Sequence, residues 1–241
     1  MKFSIKKTNY LKKRQFIALI SLTILTILII SLILFLQPYQ KIHWKSSSNS
    51  IGNKVAITID DGPSKFTEPI LKILKSTNTK ATFFLLGENI AKYPNITKKI
   101  TNTQEFGIHS YSHPKLPFTT KTKFEQEIVS TLNILNKTTN KTTNLFRPPL
   151  GIILPSQIKF LNQQGINIIN FNVNSKDYQS ISSDEIITNV LNNVKSGDII
   201  LLHDSGGKTR QPTVDALSKI IEGLKEKNLT PVTISELLEL N

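Results

Sequence analysis

The chain has 241 residues, a formal net charge of +13, no cysteine and four histidines. Disulfide scaffolds, thiolate metal sites and cysteine nucleophiles are excluded, so any metal must rest on histidine and carboxylate. The length suits one medium domain plus an accessory segment. The basicity alone does not choose between nucleic acid, an anionic membrane surface and an acidic polymer.

The first fifteen residues carry Lys2, Lys6, Lys7, Lys12, Lys13 and Arg14 and no acid. Phe16 to Leu36 follows, a run in which nothing is more polar than Ser21, Thr23, Thr26 and Ser31. As a helix it spans about 31 Å, enough to cross the hydrocarbon core of a bilayer. A cleaved signal peptide shares the basic start but has a shorter apolar region and a small-residue cleavage site. Here the run ends Phe35-Leu36-Gln37-Pro38-Tyr39-Gln40, without such a site. The expected division is a basic cytoplasmic segment (1–15), a transmembrane anchor (16–36), a linker (37–53) and a domain (54–241). Because positive flanks stay in the cytoplasm, the expectation is a single-pass protein of the cell membrane with its domain extracytoplasmic. Setting the six flanking charges aside leaves 24 basic and 17 acidic residues, which suits an anionic envelope polymer and an ordinary solvated surface equally. Export, and the lack of any nucleic-acid-binding motif, argue against a nucleic-acid partner. Ser46-Ser47-Ser48-Asn49-Ser50 has the composition of a flexible linker.

From Lys54 onward short apolar runs alternate with helical patterns. Val55–Ile59 is a strand candidate, followed by a helical pattern around Ile70, Leu71, Ile73 and Leu74, the strand Ala81–Leu86, a helical stretch and a short strand ending at Ile108. Phe124, Ile128, Leu132 and Leu135 share one helical face. Then come Leu145-Phe146 before a double proline, a helix near Ile158–Gln163, a strand over Ile166–Val173 and a helix over Asp184–Val194. Ile199–Leu202, a helix over Val214–Lys227 and Pro231–Ile234 complete the series. About seven such alternations over roughly 190 residues predict a parallel α/β sheet, most naturally closed as a barrel. An open doubly wound sheet is the alternative, without a glycine-rich phosphate loop to support it.

In such a barrel chemistry sits where strands end, and polar clusters follow the apolar runs. The first strand ends Asp60-Asp61-Gly62-Pro63. Adjacent strand residues face opposite ways, so both carboxylates share a pocket only if the ladder breaks there; a plain Asp-Gly turn is the competing reading. The third ends His109-Ser110-Tyr111-Ser112-His113. Two imidazoles four residues apart can converge on one ion, and a carboxylate would complete a three-ligand site with open positions. His203 ends another strand, while His43 stands alone in the expected linker and is read as functionally silent. Arg147-Pro148-Pro149-Leu150-Gly151 stiffens a turn around an arginine able to clamp a carboxylate. Asn174-Ser175-Lys176-Asp177-Tyr178 follows the fifth run.

In that order, Thr-Ile-Asp-Asp-Gly, His-Ser-Tyr-Ser-His, Arg-Pro-Pro-Leu-Gly, Asn-Ser-Lys-Asp-Tyr and Leu-Leu-His resemble the five motifs of the polysaccharide deacetylases with a NodB-like domain, carbohydrate esterase family 4. The resemblance covers Lys54 to Leu240. It implies a distorted (β/α) barrel of about seven parallel strands, preceded here by the transmembrane helix. It implies Asp60 as catalytic base, and Asp61, His109 and His113 as ligands of a divalent metal, zinc first, with cobalt, manganese or nickel also suited to the set. Arg147 would orient the base, the backbone N–H of Leu150 would help hold the oxyanion, His203 would be the general acid and Asp177 would tune it. Leu201 and Tyr178 would wall the acetyl methyl. The implied reaction is removal of N-acetyl groups from a cell-envelope polysaccharide, most naturally the N-acetylglucosamine of peptidoglycan, by a monomer held at the membrane. A weakly catalytic glycan-binding relative and an O-acetyl esterase are the alternatives. Ile108, Leu150, Asn174 and Tyr178 depart from the commonest pattern, which has Asn, Tyr, Asp and Trp there; none of these removes a ligand, the base, the acid or the arginine.

Overall fold

The structure, a computed structural model, describes residues 2–46, 48 and 51–240. It divides into two compact units, residues 1–41 and 42–241. Of the serine-rich stretch expected as linker, Ser47, Asn49 and Ser50 lie outside the described residues.

The first unit is one helix, α1 (Lys2–Leu36), ending in a 3-10 turn over Gln37–Lys41. Its apolar side chains from Phe16 to Leu34 are exposed, and Phe16–Tyr39 is long and apolar enough to cross a membrane. The hydroxyls of Ser21, Thr23 and Thr26 donate to the carbonyls of Ile17, Leu19 and Leu22 at 2.8–2.9 Å. The helix therefore satisfies these hydroxyls internally, as apolar surroundings require.

Among the described residues the second unit holds nine parallel strands: β1 (Ile42–His43), β2 (Lys54–Asp60), β3 (Thr82–Leu85), β4 (Glu105–Ile108), β5 (Leu145–Phe146), β6 (Asn167–Ile169), β7 (Val173–Asn174), β8 (Ile199–His203) and β9 (Thr230–Val232). Their order is β1-β6-β5-β4-β3-β2-β8-β7, with β9 beside the start of β2. The helices are α2 (Thr67–Ser76), α3 (Gly87–Lys92), α4 (Pro94–Thr103), α5 (Lys121–Thr139), α6 (Pro155–Gln163), α7 (Ser183–Leu191), α8 (Gln211–Glu226) and α9 (Ile234–Leu238). β2 is buried from Val55 to Asp60 with no alternation, as expected of a parallel strand covered on both faces. α8 buries one apolar stripe, Val214, Leu217, Ile220, Ile221 and Leu224.

The expected distorted α/β barrel is present as a half-barrel and is not closed. Its ladder ends at β1 and β7, which do not pair with each other among the described residues. The run Ile166–Val173, expected as one strand, is two, because Asn170-Phe171-Asn172 leave one arm of the sheet for the other. Asn170 N–H donates to His43 O at 2.7 Å, while Asn172 N–H donates to Ile199 O at 3.2 Å. The Asn172 side chain also accepts from Ile199 N–H at 2.9 Å, so side-chain bonds replace a ladder here. Part of the stretch expected as linker is likewise built in. Ile42–His43 pair with β6, and Ser46 N–H donates to Gly197 O at 2.8 Å, which covers an edge that β6 would otherwise expose.

Because all strands are parallel, their C-terminal ends share one face. In register across it, Asp60 lies level with Phe84 and His203, and Ile108 with Leu85 and Phe146. Close strand approach is needed at Gly107, where a Cβ would lie 2.7 Å from the Phe84 ring and 2.8 Å from Leu145 O. Backbone cannot yield as a side chain can. Gly107→Ala is therefore expected to destabilise the domain by about 1–3 kcal/mol, read as a lowered midpoint in urea unfolding.

Candidate active site

Asp60 is the last residue of β2 and is 2% exposed. Thr58, two residues earlier, points to the same face, and both side chains meet Arg147. The Arg147 guanidinium donates through one nitrogen to Asp60 Oδ1 at 2.7 Å and Thr58 Oγ1 at 2.6 Å, and through the others to Asn170 O at 3.1 Å and Ile169 O at 3.4 Å. It lies 4.2 Å over the Phe84 ring and is fully buried. Burial pushes the Asp60 carboxyl above its usual range, opposed by the charge and hydrogen bond of Arg147. Burial also lowers Arg147, opposed by Asp60, but a guanidinium starts so high that it remains a cation.

The ladder breaks at Asp61, whose backbone is left-handed (φ 73) and which precedes the cis Gly62-Pro63 bond. The left-handed turn at Asp61 resolves the two sequence readings of the Asp pair: Asp60 Oδ2 and Asp61 Oδ1 lie 3.8 and 3.6 Å from the same His109 Nε2. Asn89 of α3 holds the bend by donating to Asp61 O at 2.6 Å. Asp61 Oδ1 stands 3.6 Å from His109 Nε2 and 3.5 Å from His113 Nε2, and ligand atoms of the three residues lie within 4.8 Å of one another. Asp61 Oδ1 is buried without a hydrogen-bond partner, an orphaned oxygen that a cation between the imidazoles would satisfy. His109 Nδ1 lies 2.8 Å from Arg147 O; a proton there donates to the carbonyl and leaves Nε2 with its lone pair free. Burial lowers the His109 pKa to about 3, so the ring is neutral, as a ligand must be. The residues fit a divalent metal.

Sequence reasoning missed the groups that hold this arrangement. Glu127, on α5, is 1% exposed and receives the N–H groups of Tyr111 and Ser112 at 2.8 Å and the Ser112 hydroxyl at 2.9 Å. The available signal was an acid on the apolar face of the Phe124–Leu135 helix. Asp204, next to His203, is also buried. Its N–H donates to Asp60 O at 3.2 Å, and its carboxyl and carbonyl take the hydroxyls of Thr67 and Ser64. Burial, reinforced by the nearby Asp61 charge, pushes its carboxyl up to about 7 despite the Thr67 hydrogen bond.

Across from Asp61, His109 and His113, His203 ends β8. Its Nδ1 lies 2.7 Å from Asp177 Oδ1, and its backbone N–H donates to Asp177 Oδ2 at 2.8 Å. Thr213 donates to the same carboxylate at 2.9 Å, and Arg210 donates to Asp177 O at 2.9 Å. Burial alone would lower the His203 pKa, but the hydrogen bond and charge of Asp177 outweigh it and raise it above the usual histidine value. Leu201 lies two residues before His203 on the same face, level with Thr58. The Tyr178 ring stands edge-on to His203 at 5.7 Å, and its hydroxyl receives a hydrogen bond from Asn174 at 3.2 Å. Two of the four departures thus pair with each other. Leu150 is exposed and left-handed (φ 59), inside the 3-10 turn Pro149–Gly151. His43, on the sheet edge, takes no part in the site.

A half-barrel whose strand ends converge a histidine–carboxylate metal set, a buried carboxylate–arginine pair and a carboxylate-supported histidine defines a hydrolase class. The polysaccharide deacetylase family model matches residues 47–169, and the chain belongs to that family. Over 188 residues it is 43% identical to a peptidoglycan-N-acetylglucosamine deacetylase of Bacillus cereus, covering 77% of this chain and 68% of that protein. The solved Bc1960 peptidoglycan N-acetylglucosamine deacetylase superposes with a TM-score of 0.80 at 39% identity, covering 83% of this chain and 94% of that one. BA3943 of Bacillus anthracis, described as a CE4 family pseudoenzyme, gives 0.75 at 27% identity over 81% and 68%.

Removing Arg147 alone leaves the Asp60 charge buried and unpaired. Arg147→Met is expected to cost about 3–5 kcal/mol. The double variant Asp60→Asn/Arg147→Met should lose less than the sum of its two single changes, because they share one interaction. Denaturant unfolding of the three variants checks both statements.

Proposed function

We propose that this chain is a zinc-dependent N-deacetylase of the N-acetylglucosamine of peptidoglycan, held at the cell membrane by residues 16–36 with residues 54–241 outside. The single observation that carries the chemistry is the orphaned Asp61 Oδ1 set between the Nε2 atoms of His109 and His113, with Asp60 and His203 level on adjoining strands. The 43% identity to a peptidoglycan-N-acetylglucosamine deacetylase supports the substrate. The basic residues before Phe16 and the apolar span after them support the topology.

An amide is a poor electrophile, so its hydrolysis needs an activated water, a polarised carbonyl and a proton for the leaving amine. A bound divalent metal supplies Lewis acidity, lowering the pKa of water and polarising the carbonyl; Asp61, His109 and His113 would hold it. Asp60 accepts the proton of the attacking water, and Arg147 fixes its carboxylate and offsets its burial. The Leu150 N–H donates to the developing oxyanion. His203, kept protonated by Asp177, gives its proton to the departing nitrogen, which leaves as the free amine. Leu201 and Tyr178 flank the acetyl methyl.

The full-length chain in detergent, incubated with purified peptidoglycan or N-acetylglucosamine oligomers, is expected to release acetate, and a chelator should stop it. Asp60→Asn should lower turnover by about 10²–10⁴-fold while sparing zinc content. Absence of acetate from any N-acetylated glycan by the zinc-loaded protein would overturn the reading, and release from O-acetyl substrates alone would move it to esterase chemistry. His203 donates only while protonated, so activity is present below its pKa and lost as pH rises through it. Asp177 holds that pKa above the usual value, so Asp177→Asn should move the alkaline loss of kcat to lower pH, read from a pH–rate profile.

A further inference from the structure

The loop between the two histidines of the metal set is unusual in its backbone. Ser110 and His113 are both left-handed (φ 69 and φ 56) without being glycine, a conformation that persists only where the surroundings over-determine it. Its polar groups are accounted for from two sides. The carbonyls of Ser110 and Tyr111 accept from the N–H groups of Gly87 and Glu88 at 3.1 and 3.0 Å. The N–H groups of Tyr111 and Ser112, with the Ser112 hydroxyl, converge on Glu127. Contact on the α3 side is close: a Cβ on Gly87 would lie 2.2 Å from the Tyr111 ring. Those α3 bonds are backbone to backbone, and within the loop the Ser110 hydroxyl accepts from His113 N–H at 3.1 Å, so Glu127 is the side chain from outside the loop that completes the clamp. It spends its carboxylate on loop donors and on Lys123, 2.9 Å away and half exposed.

We propose that Glu127 is a positioning residue for the metal: by holding Tyr111 and Ser112 it fixes the strained turn that sets His113 against His109 and Asp61, and so sets the affinity for the ion. The inference rests on the ligand set given above. It makes no contact claim between Glu127 and the ion; the carboxylate acts through the loop. An absent side chain at 127 leaves the part-buried N–H groups of Tyr111 and Ser112 without their shared acceptor oxygen and lets the turn relax, which spreads the ligands. Lys123 touches the carboxylate but none of the loop donors, so its removal leaves the turn in place.

The test is zinc affinity, measured on the metal-stripped full-length chain in detergent by competition with a chromophoric chelator, with circular dichroism confirming the fold at the assay temperature. Glu127→Ala is expected to raise the zinc dissociation constant about 10–100-fold, the range seen for groups that orient metal ligands. Glu127→Gln keeps the shape and one acceptor oxygen and should weaken binding by less. It decides the question if the alanine variant does not fold. Lys123→Met should stay within about twofold of the parent, as a half-exposed ion pair contributes little. A parent-like zinc affinity for the folded glutamine and alanine variants, even with a lowered melting temperature, would reduce Glu127 to a purely structural role and overturn the proposal. Failure of the parent chain to bind zinc would overturn the ligand-set reading itself, and this inference with it.

Discussion

The half-barrel is organised around one buried ion pair. Arg147 and Asp60 both lie out of solvent, where an isolated charge is costly and a pair is tolerated only with its remaining hydrogen-bonding capacity satisfied. The arginine meets that condition by bonding to Thr58, Asn170 and Ile169 and by lying on the Phe84 ring. One side chain thereby ties β2, β3, β5 and the exit from β6 together at the level of the catalytic face. Its own carbonyl faces His109 Nδ1, so the residue that offsets the buried carboxylate also sets the tautomer of a histidine in the proposed metal set. Position, charge state and ligand chemistry are coupled through a single group.

Around this pair the loops adopt backbone conformations that non-glycine residues seldom take. Asp61, Ser110, His113 and Leu150 are all left-handed, and three of them belong to the ligand set or the turn between its histidines. Such positions cost energy and survive where neighbours leave no alternative. Asn89, Glu127 and the first N–H groups of α3 supply that constraint. The ordered interior therefore supports a turn geometry that the loop residues would not choose by themselves. The opposite wall is built differently: the His203–Asp177 couple is held by Thr213 and Arg210, from α8 and the residue before it, so the proposed acid and the proposed ligands are supported by separate parts of the chain.

Membership in the polysaccharide deacetylase family includes a relative described as a pseudoenzyme, so the family alone does not make a chain active. The distinction rests on the site. Here the departures at Asn174 and Tyr178 form a hydrogen-bonded pair beside His203, leaving the Asp177–His203 couple intact. Ile108 is a buried strand residue level with Phe146, its apolar side chain suited to that place. The changes alter the walls of the site, and the proposed ligands, base and acid remain together.

The sequence by itself determined the parallel α/β class, the positions of nearly all strands and helices, and the set of polar residues at strand ends. These follow from local periodicity and from motifs only a few residues long. It also marked the apolar amino-terminal span, since twenty or so residues without a charge announce themselves. Three things were decided only by tertiary structure. The ladder stops short of closure because Asn170 and Asn172 take partners on different arms of the sheet, 42–46 being stitched to that sheet rather than left as tether. The Asp60-Asp61 pair shares a pocket because Asp61 turns left-handed, which no reading of a DDG triplet can choose over a simple turn. Glu127 and Thr213, distant in the chain from what they support, become part of the site because burial converts an ordinary helix acid and hydroxyl into obligatory partners. A pattern of residues specifies what can meet; packing decides which groups are left without water and must.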